Sequence, residues 1–410
     1  MSHDGLHLFQ GYGVEIEYMI VRDDDLSVLP VCDEIIKAVL GEYGSDVEDG
    51  PVAWSNELVL HVLEFKTNGP APALDGRAAE FQSQVERVNA LLEPMGGRLL
   101  PTAMHPWMDP FTETRLWPHD NSVVYATYDR IFSCKGHGWA NLQSAHLNLP
   151  FQGDDEFGRL HAAIRAVLPL LPALAASSPL TDGKLTGFLD GRLEVYRTNQ
   201  RKVPLAAGQV IPERAWSKGE YHARILEPLW EQVAPLDPDG VLRHEWLNSR
   251  GAIARFDRDA IEIRVLDTQE APVADLAIHF LVSETLKALI AERWAPLDAV
   301  RALEMEPLAQ RFRDAVRTAD ATSVDDAAYL ALFGLSAPCT IGDVWAHLAE
   351  SVLPAPSTHE LASTARTLVH RGPLARRIVA ALGPDPSRSR MTDVYRDLAD
   401  CLAAGRLFGP

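Results

Sequence analysis

GVEIEY, residues 13–18, alternates with a period of two: Val14, Ile16 and Tyr18 fall on one side, Glu15 and Glu17 on the other. The pattern predicts a buried strand. It also raises a difficulty, because neighbouring like charges on one sheet face repel, and buried carboxylates are costly unless something neutralises them. Either that face looks at water, or a cation sits there.

Outward from this strand, expected to cover residues 11–22, the chain mixes strands and helices up to about residue 270. Residues 31–44 read as a helix ending at a glycine. Residues 57–67, ELVLHVLEFKT, are rich in strand formers. Phe81, Val85, Val88 and Leu92 repeat at helical spacing before Gly96 and Gly97. GRLLPTAM (97–104) reads as a strand, and the proline-, histidine- and aromatic-rich 105–140 as long irregular structure, a common place for substrate-facing loops. NLQSAHLNLPF (141–151) returns to strand alternation, followed by a proline-interrupted helix over 154–177. AIARF (252–256) and IEIRV (261–265) flank a polar turn, a hairpin signal. After Pro272 the chain reads as helical to its end, with breaks at 355–360 and 383–390. This order predicts an α+β fold, with a sheet domain over 1–270 and a helical part over 271–410 packed on it.

Acidic residues outnumber Lys and Arg by 57 to 38, and no basic block occurs, so a nucleic-acid partner is not expected. The most apolar run (166–176) is too short for a bilayer and is broken by Pro169 and Pro172, so no membrane span is expected. Cys32, Cys134, Cys339 and Cys401 form no CxxC, and MSHDGLHLF at the start lacks the charge pattern of a secretory signal. Both point to reduced thiols and a cytoplasmic location. Cys134 and His137 make one tight pair near His105, His119 and His146. Structural zinc ordinarily needs two such pairs.

The acidic strand of the opening has company. Glu57 and Glu64 bracket the 57–67 run. Glu262 and Arg264 share one face of IEIRV, and His146 shares a face with Ser144 and Asn148. For one such glutamate a solvent-facing position on a half-wet sheet is the ordinary case. For five, each among apolar strand residues, a sheet face lining a cavity that holds divalent metal is the more economical reading, since Mg²⁺ prefers oxygen ligands shared between carboxylates and phosphates. Glu57 and Glu64 are an odd seven residues apart, so both reach one cavity only through a bulge or two separate elements. No GxxxxGK[ST] loop is present.

Six segments, in order, resemble glutamate–cysteine ligase family 2, the carboxylate–amine ligases. GVEIEY resembles its G-x-E-x-E strand and NELVLHVLEFKT its next acidic strand. TAMHPW is similar to its histidine–proline segment and QSAHLNLPF to its histidine strand. SSPLTDGKLTGFLDGRLEVYR resembles the segment of small residues, glycines and a closing arginine, and AIEIRVLDTQ the E-x-R-x-x-D-T strand. The resemblance implies a glutamine synthetase-like fold, a curved, mostly antiparallel sheet forming a funnel with helices outside. It implies ATP- and Mg²⁺-dependent amide formation (Mn²⁺ being able to substitute) through an acyl phosphate, with small-molecule amino acid and amine substrates. Carried over by motif, Glu15, Glu17, Glu57, Glu64, His146 and Glu262 would hold metal, and Glu15, Glu64 and Arg264 the nucleotide phosphates. Glu262, His146 and Arg264 would be catalytic, Arg264 neutralising the transferring phosphoryl group. Tyr196, Arg197 and Asn148 are the expected substrate-binding residues, Arg197 because arginine grips carboxylates bidentately. Asn148 stands where many relatives have a second histidine. A ligase for a different amino acid–amine pair, a non-catalytic nucleotide- or amino-acid-binding protein on the same fold, and a homo-oligomer all remain open at this stage.

Overall fold

The computed structural model describes residues 5–355 and 359–409. Residues 1–4, at the start of the amino-terminal segment, and 356–358, inside the break expected at 355–360, lie outside the described residues. An eight-stranded sheet organises the chain: β1 (Gly13–Arg22), β2 (Asp46–Asp49), β3 (Val52–Asn56), β4 (Val62–Thr67), β5 (Gly97–Leu100), β6 (Ser144–Pro150), β7 (Ala252–Arg255) and β8 (Ala260–Asp267). Its order is β2-β3-β4-β1-β6-β8-β7, with β5 also paired to β1, and every pairing is antiparallel.

One face of β1 is apolar. Val14, Ile16, Tyr18 and Ile20 are fully buried. They join Phe81, Val85 and Val88 of helix α1 (Arg77–Leu92) and Leu276, Leu281 and Val282 of helix α2 (Pro272–Ile290) in one core cluster. That cluster holds side chains from both sides of residue 270, including Trp345 and Leu402, so sheet and carboxy-terminal helices share a core. The opposite face of β1 changes character along the strand. Met19 and Val21 pack against Leu374, Ile378, Val394 and Leu398 of the two last helices, Leu374–Leu382 and Arg388–Ala404. Glu15 and Glu17, further back on the same face, are left to the site.

Three expected elements are corrected. ELVLHVLEFKT is not one strand: β3 ends at Asn56, residues 57–61 form the connection, and β4 begins at Val62. The apolar residues of that connection bury Val59 beside Ala140 and Leu116, so their hydrophobicity reflects packing rather than a sheet. The strand at 97 stops at Leu100, because Pro101 has no N–H for the ladder. Residues 105–140 carry an eleven-residue helix, Ser122–Phe132, whose Tyr128, Ile131 and Phe132 are buried at i, i+3 and i+4.

Gly13 lies opposite Asn148 on β6. A Cβ at Gly13 would come within 2.8 Å of the Asn148 Cβ, both backbones being held in the ladder. Gly13→Ala is therefore expected to destabilise the protein by about 1–3 kcal/mol, the ordinary range for overpacking, as measured by denaturant unfolding.

Candidate active site

The strand register assembles the acidic residues into adjoining rows on one face. Glu17 sits opposite Glu64 across β1 and β4, and Glu64 opposite Ser55 across β3. Glu15 sits opposite His146, and Glu262 opposite Asn148. The two-element solution to the parity problem is the one adopted: Glu57 follows β3 while Glu64 belongs to β4, and Glu57 lines the same cavity as Glu17.

His146 is the hub. Its Nδ1 lies 2.8 Å from Glu15 Oε2 and 3.8 Å from Glu262 Oε1, and its Nε2 lies 4.0 Å from Glu17 Oε1. Ser144 ties the two halves together: its amide donates to Glu17 Oε2 at 2.8 Å, and its hydroxyl is 3.0 Å from His146 Nε2. The Ser55 hydroxyl donates to Glu64 Oε1 at 2.7 Å, and Asn148 Nδ2 donates to Glu15 Oε1 at 3.2 Å. Arg264 Nε lies 3.2 Å from Glu262 Oε1, with Arg255 at 3.4 Å from the other oxygen.

A backbone irregularity completes the site. β8 contains a register shift between Ile263 and Leu266, so Glu262 pairs with Asn148 and Asp267 with Ser144. Glu262 and Asp267 are five apart and would point to opposite faces of a regular strand. The extra residue puts both on the site face. There Asp267 receives Arg192 Nε, the Ser178 hydroxyl and the Ser177 amide, all buried.

The electrostatics follow from burial. Burial opposes ionisation of Glu15, but the hydrogen bond and charge of His146, with Arg264 and Arg258, overcome it and bring the carboxyl down to about 2. Glu17 is raised by burial despite His146 and the Ser144 amide. Glu57 is pushed up to about 8 by burial and the charge of Glu17, and Glu64 well above the usual range by burial, Glu15 and Glu57. For His146, burial opposes the charge, but Glu15, Glu262 and Glu17 prevail and raise it. Protons therefore balance this cluster as it stands, and cations could replace them.

Two groups of ligand atoms lie close enough for an ion: Glu15, His146 and Glu262, and Glu17, Glu64 and His146. Four carboxylates and one imidazole make an oxygen-rich donor set, which suits Mg²⁺ or Mn²⁺. The zinc alternative gains nothing, because Cys134 is buried in an apolar cluster and His137 is engaged with Asp182 and Asn141.

Two cavities flank the cluster. The larger, about 620 Å³, is bordered by Glu15, Asn148, Lys66, Arg258 and the glycines at 5, 11, 13 and 69. The smaller, about 270 Å³, is bordered by Glu17, Glu57, His146, Arg264, Arg192 and Tyr196. Of the residues expected to bind substrate, Tyr196 lines the smaller cavity and Asn148 the larger. Arg197 lines neither: its side chain is 36% exposed and, from just past the end of the helix Gly191–Tyr196, it grips Glu194 one turn earlier with two hydrogen bonds of 2.7 and 2.8 Å. Arg192, one face round the same helix, is the buried arginine at the cavity. Sequence reasoning missed Arg192, Asp267 and Lys66. The Arg192–Asp267 pair depends on the bulge, and Lys66 was legible as the residue opposite Glu15 once β4 was paired.

The sequence matches the family model of glutamate-cysteine ligase family 2 over residues 12–332. The chain belongs to that family. It is 37% identical over 288 residues to an uncharacterized protein of Archaeoglobus fulgidus, covering 70% of this chain and 76% of that one. It is 24% identical over 260 residues to a candidate glutamate–cysteine ligase 2 of Corynebacterium glutamicum, covering 62% of this chain and 61% of the relative. The fold is similar to the crystal structure of glutamate–cysteine ligase from Francisella tularensis in complex with AMP, with a TM-score of 0.63, 11% identity and coverage of 95% of this chain and 88% of that one. The glutamine synthetase-like fold class expected from the motifs is therefore present, and family and fold are those of ligases. No helix among the described residues is long and apolar enough to cross a membrane.

Glu57 gives a pH prediction. Its carboxyl ionises near the ordinary 4.5 when unfolded and at about 8 when folded, so metal-free stability is full below 4.5 and falls as pH rises through 8. Glu57→Gln removes that loss. In chelator-treated protein the variant is expected to match wild type at pH 4.5 and to exceed it by about 1–3 kcal/mol at pH 8.5, a range reduced for the part of Glu57 that solvent reaches. Equal stability at both pH values would show that the carboxylate is not held against its charge.

Proposed function

We propose that the chain is an ATP-dependent carboxylate–amine ligase that forms an amide through an acyl phosphate, in the manner of a glutamate–cysteine ligase. The observation that carries this reading is the position of the acidic cluster: carboxylates from β1, β4 and β8, with His146 and Arg264, separate a larger cavity from a smaller one. A reaction that joins a nucleotide phosphate to a small acid needs such a boundary.

The larger cavity, with Lys66 and Arg258 on its wall and four glycines that let backbone approach, suits the nucleotide. The smaller suits the acid and the amine. Divalent ions held by Glu15, Glu17, Glu64, Glu262 and His146, with Glu57 at the margin, would supply neutralisation of the triphosphate. Arg264, anchored on Glu262 at the boundary, offers its guanidinium to the phosphoryl group as it passes between the cavities. The γ-phosphoryl bond to ADP breaks as a substrate carboxylate oxygen bonds to phosphorus. The amine nitrogen then attacks the acyl carbon, inorganic phosphate leaves with the former carboxylate oxygen, and the nitrogen gives up a proton. Cytoplasmic location and the amino acid nature of the substrates belong to the same reading.

The decisive test is phosphate release over pairs of amino acids and amines, with mass detection of the amide. Release coupled to an amide mass is expected. ATP binding without phosphate release under any pairing would sink the reading in favour of a non-catalytic nucleotide-binding protein. Arg264→Lys is expected to lose about 10²–10³-fold in kcat with the fold intact, because lysine lacks the planar fork. Mg²⁺ is expected to raise the melting temperature of wild type but not of Glu262→Gln or Glu64→Gln, an effect read without turnover.

A further inference from the structure

The site face of β1 does not end at its carboxylates. By strand alternation it continues from Glu17 and Glu15 through Gly13 to Gly11. The chain is still extended there: Tyr12 exchanges both backbone hydrogen bonds with Ala71, at 2.8 and 2.9 Å, and its side chain joins Val14 and Ile16 in the core below. Two carboxylates and then two glycines therefore lie in line. The glycines leave the floor of the larger cavity bare where it runs away from the acidic cluster.

The far end of that floor is closed by a side chain from outside the sheet. Leu6 lies over Gly11: a Cβ at Gly11 would meet Leu6 Cδ1 at 2.7 Å and Pro70 Cβ at 3.1 Å. Pro150 is the third apolar residue at this end, because the register that sets Gly13 opposite Asn148 carries on toward Gly11 and Pro150. All three line the cavity, and Leu6 is 36% exposed, so an apolar face remains uncovered. The other carboxylates of the wall are engaged or set apart. Asp46 and Glu48 stand on β2, beyond β3 and β4, with Asp46 bound to Lys66 at 2.7 Å, and Asp259, in the β7–β8 turn, faces solvent.

The segment that carries Leu6 is pinned. Glu156, in the first turn of the helix Gly153–Val167, lies 2.7 Å from His7 Nδ1 and accepts the Leu8 amide at 3.1 Å, as well as the Gln152 amide of its own helix start at 2.8 Å. Leu8 and Phe9 pack on the core, and the Gln10 amide donates to the His7 carbonyl at 3.0 Å. Phe9 holds a φ of 60°, a conformation that a phenylalanine keeps only where its surroundings impose it. Residues 5–10 thus form a strap fastened at the end of the cavity.

We propose that Leu6, with Pro70 and Pro150, is the apolar seat of the nucleobase, and that Glu156 is the positioning residue that holds the strap in place for it. This rests on the reading of the larger cavity as the nucleotide site. The reach fits: Gly11 is four residues from Glu15, at most about 14 Å of extended chain, which a triphosphate and ribose span when the phosphates lie at Glu15 and Lys66. The seat offers packing area without charge, as the flat face of a base requires.

The test is calorimetric binding to the full-length protein of ATP and of inorganic tripolyphosphate, which has the phosphates without the base, both with Mg²⁺. Leu6→Ser is expected to weaken ATP about tenfold and to leave tripolyphosphate within about twofold of wild type, whereas Leu6→Met, which keeps the apolar contact, is expected to stay within about threefold for both. Glu156→Ala is expected to weaken ATP about fivefold, again sparing tripolyphosphate, and to speed hydrogen exchange of the amides in 5–10. In wild type that exchange is expected to slow with ATP and not with tripolyphosphate. ATP affinity unchanged in Leu6→Ser overturns the seat while leaving the nucleotide reading in place, and an equal loss for ATP and tripolyphosphate does the same. Faster exchange in Glu156→Ala with full ATP affinity overturns the role of Glu156. Should Glu156→Ala not fold, the two Leu6 variants decide alone. If neither ATP nor tripolyphosphate binds wild type, the nucleotide reading falls and the seat with it.

Discussion

The constraint on which the structure turns is the confrontation of Glu17 and Glu64 across the β1–β4 ladder, with Glu15 one pleat away and Glu57 just beyond the end of β3. Like charges opposite one another destabilise a sheet, and taking them out of water adds to the cost. The protein offsets this on the other side of the same strand. Val14, Ile16, Tyr18 and Ile20 are completely buried, so β1 is held by one face while the other remains free for chemistry. The period of two is what makes this division available to a single ten-residue strand.

The division also runs lengthwise. On the site face, Glu15 and Glu17 give way to Met19 and Val21, which the last two helices cover. Those helices are tied down where the sheet ends: Arg377 pairs with fully buried Glu270, which also accepts the Phe408 amide. The carboxy-terminal part thus closes the base of the acidic face. The chain needs its helices near 400 to shape a site begun at residue 13.

Much of this was legible in the residues. Alternation around Glu15, His146 and Glu262 placed each on a strand face opposite strong apolar neighbours, and the structure brings all three together. Apolar content alone misled at 57–61, where packing against Leu116 and Ala140 imitates a strand, and the helix at 122–132 was hidden by prolines and histidines around it. Arg197 looked like the substrate arginine because it closes the segment SSPLTDGKLTGFLDGRLEVYR and arginine grips carboxylates bidentately. A six-residue helix instead turns it outward to Glu194 and turns Arg192 inward. Helical phase over so short an element cannot be read without knowing which side is buried. The bulge in β8 was invisible for a similar reason, since E-x-R-x-x-D reads as two faces in a regular strand and as one face only when an extra residue intervenes.

Asn148 shows how the cluster works with a single imidazole. His146 already uses both ring nitrogens, Nδ1 toward Glu15 and Glu262 and Nε2 toward Ser144 and Glu17, so it spans both groups of potential ligands. A second imidazole at 148 would add a titrating cation facing Glu15 and Glu262. An amide adds only a neutral donor, which it gives to Glu15 at 3.2 Å. Gly13, directly opposite, has no Cβ to displace it. The acidic face therefore keeps its excess of carboxyl groups beside the larger cavity, where Lys66 and Arg258 add their charges on the wall. Under the ligase reading proposed above, what would neutralise such a surface is hard divalent cations brought with a phosphate chain, held where oxygen donors outnumber nitrogen.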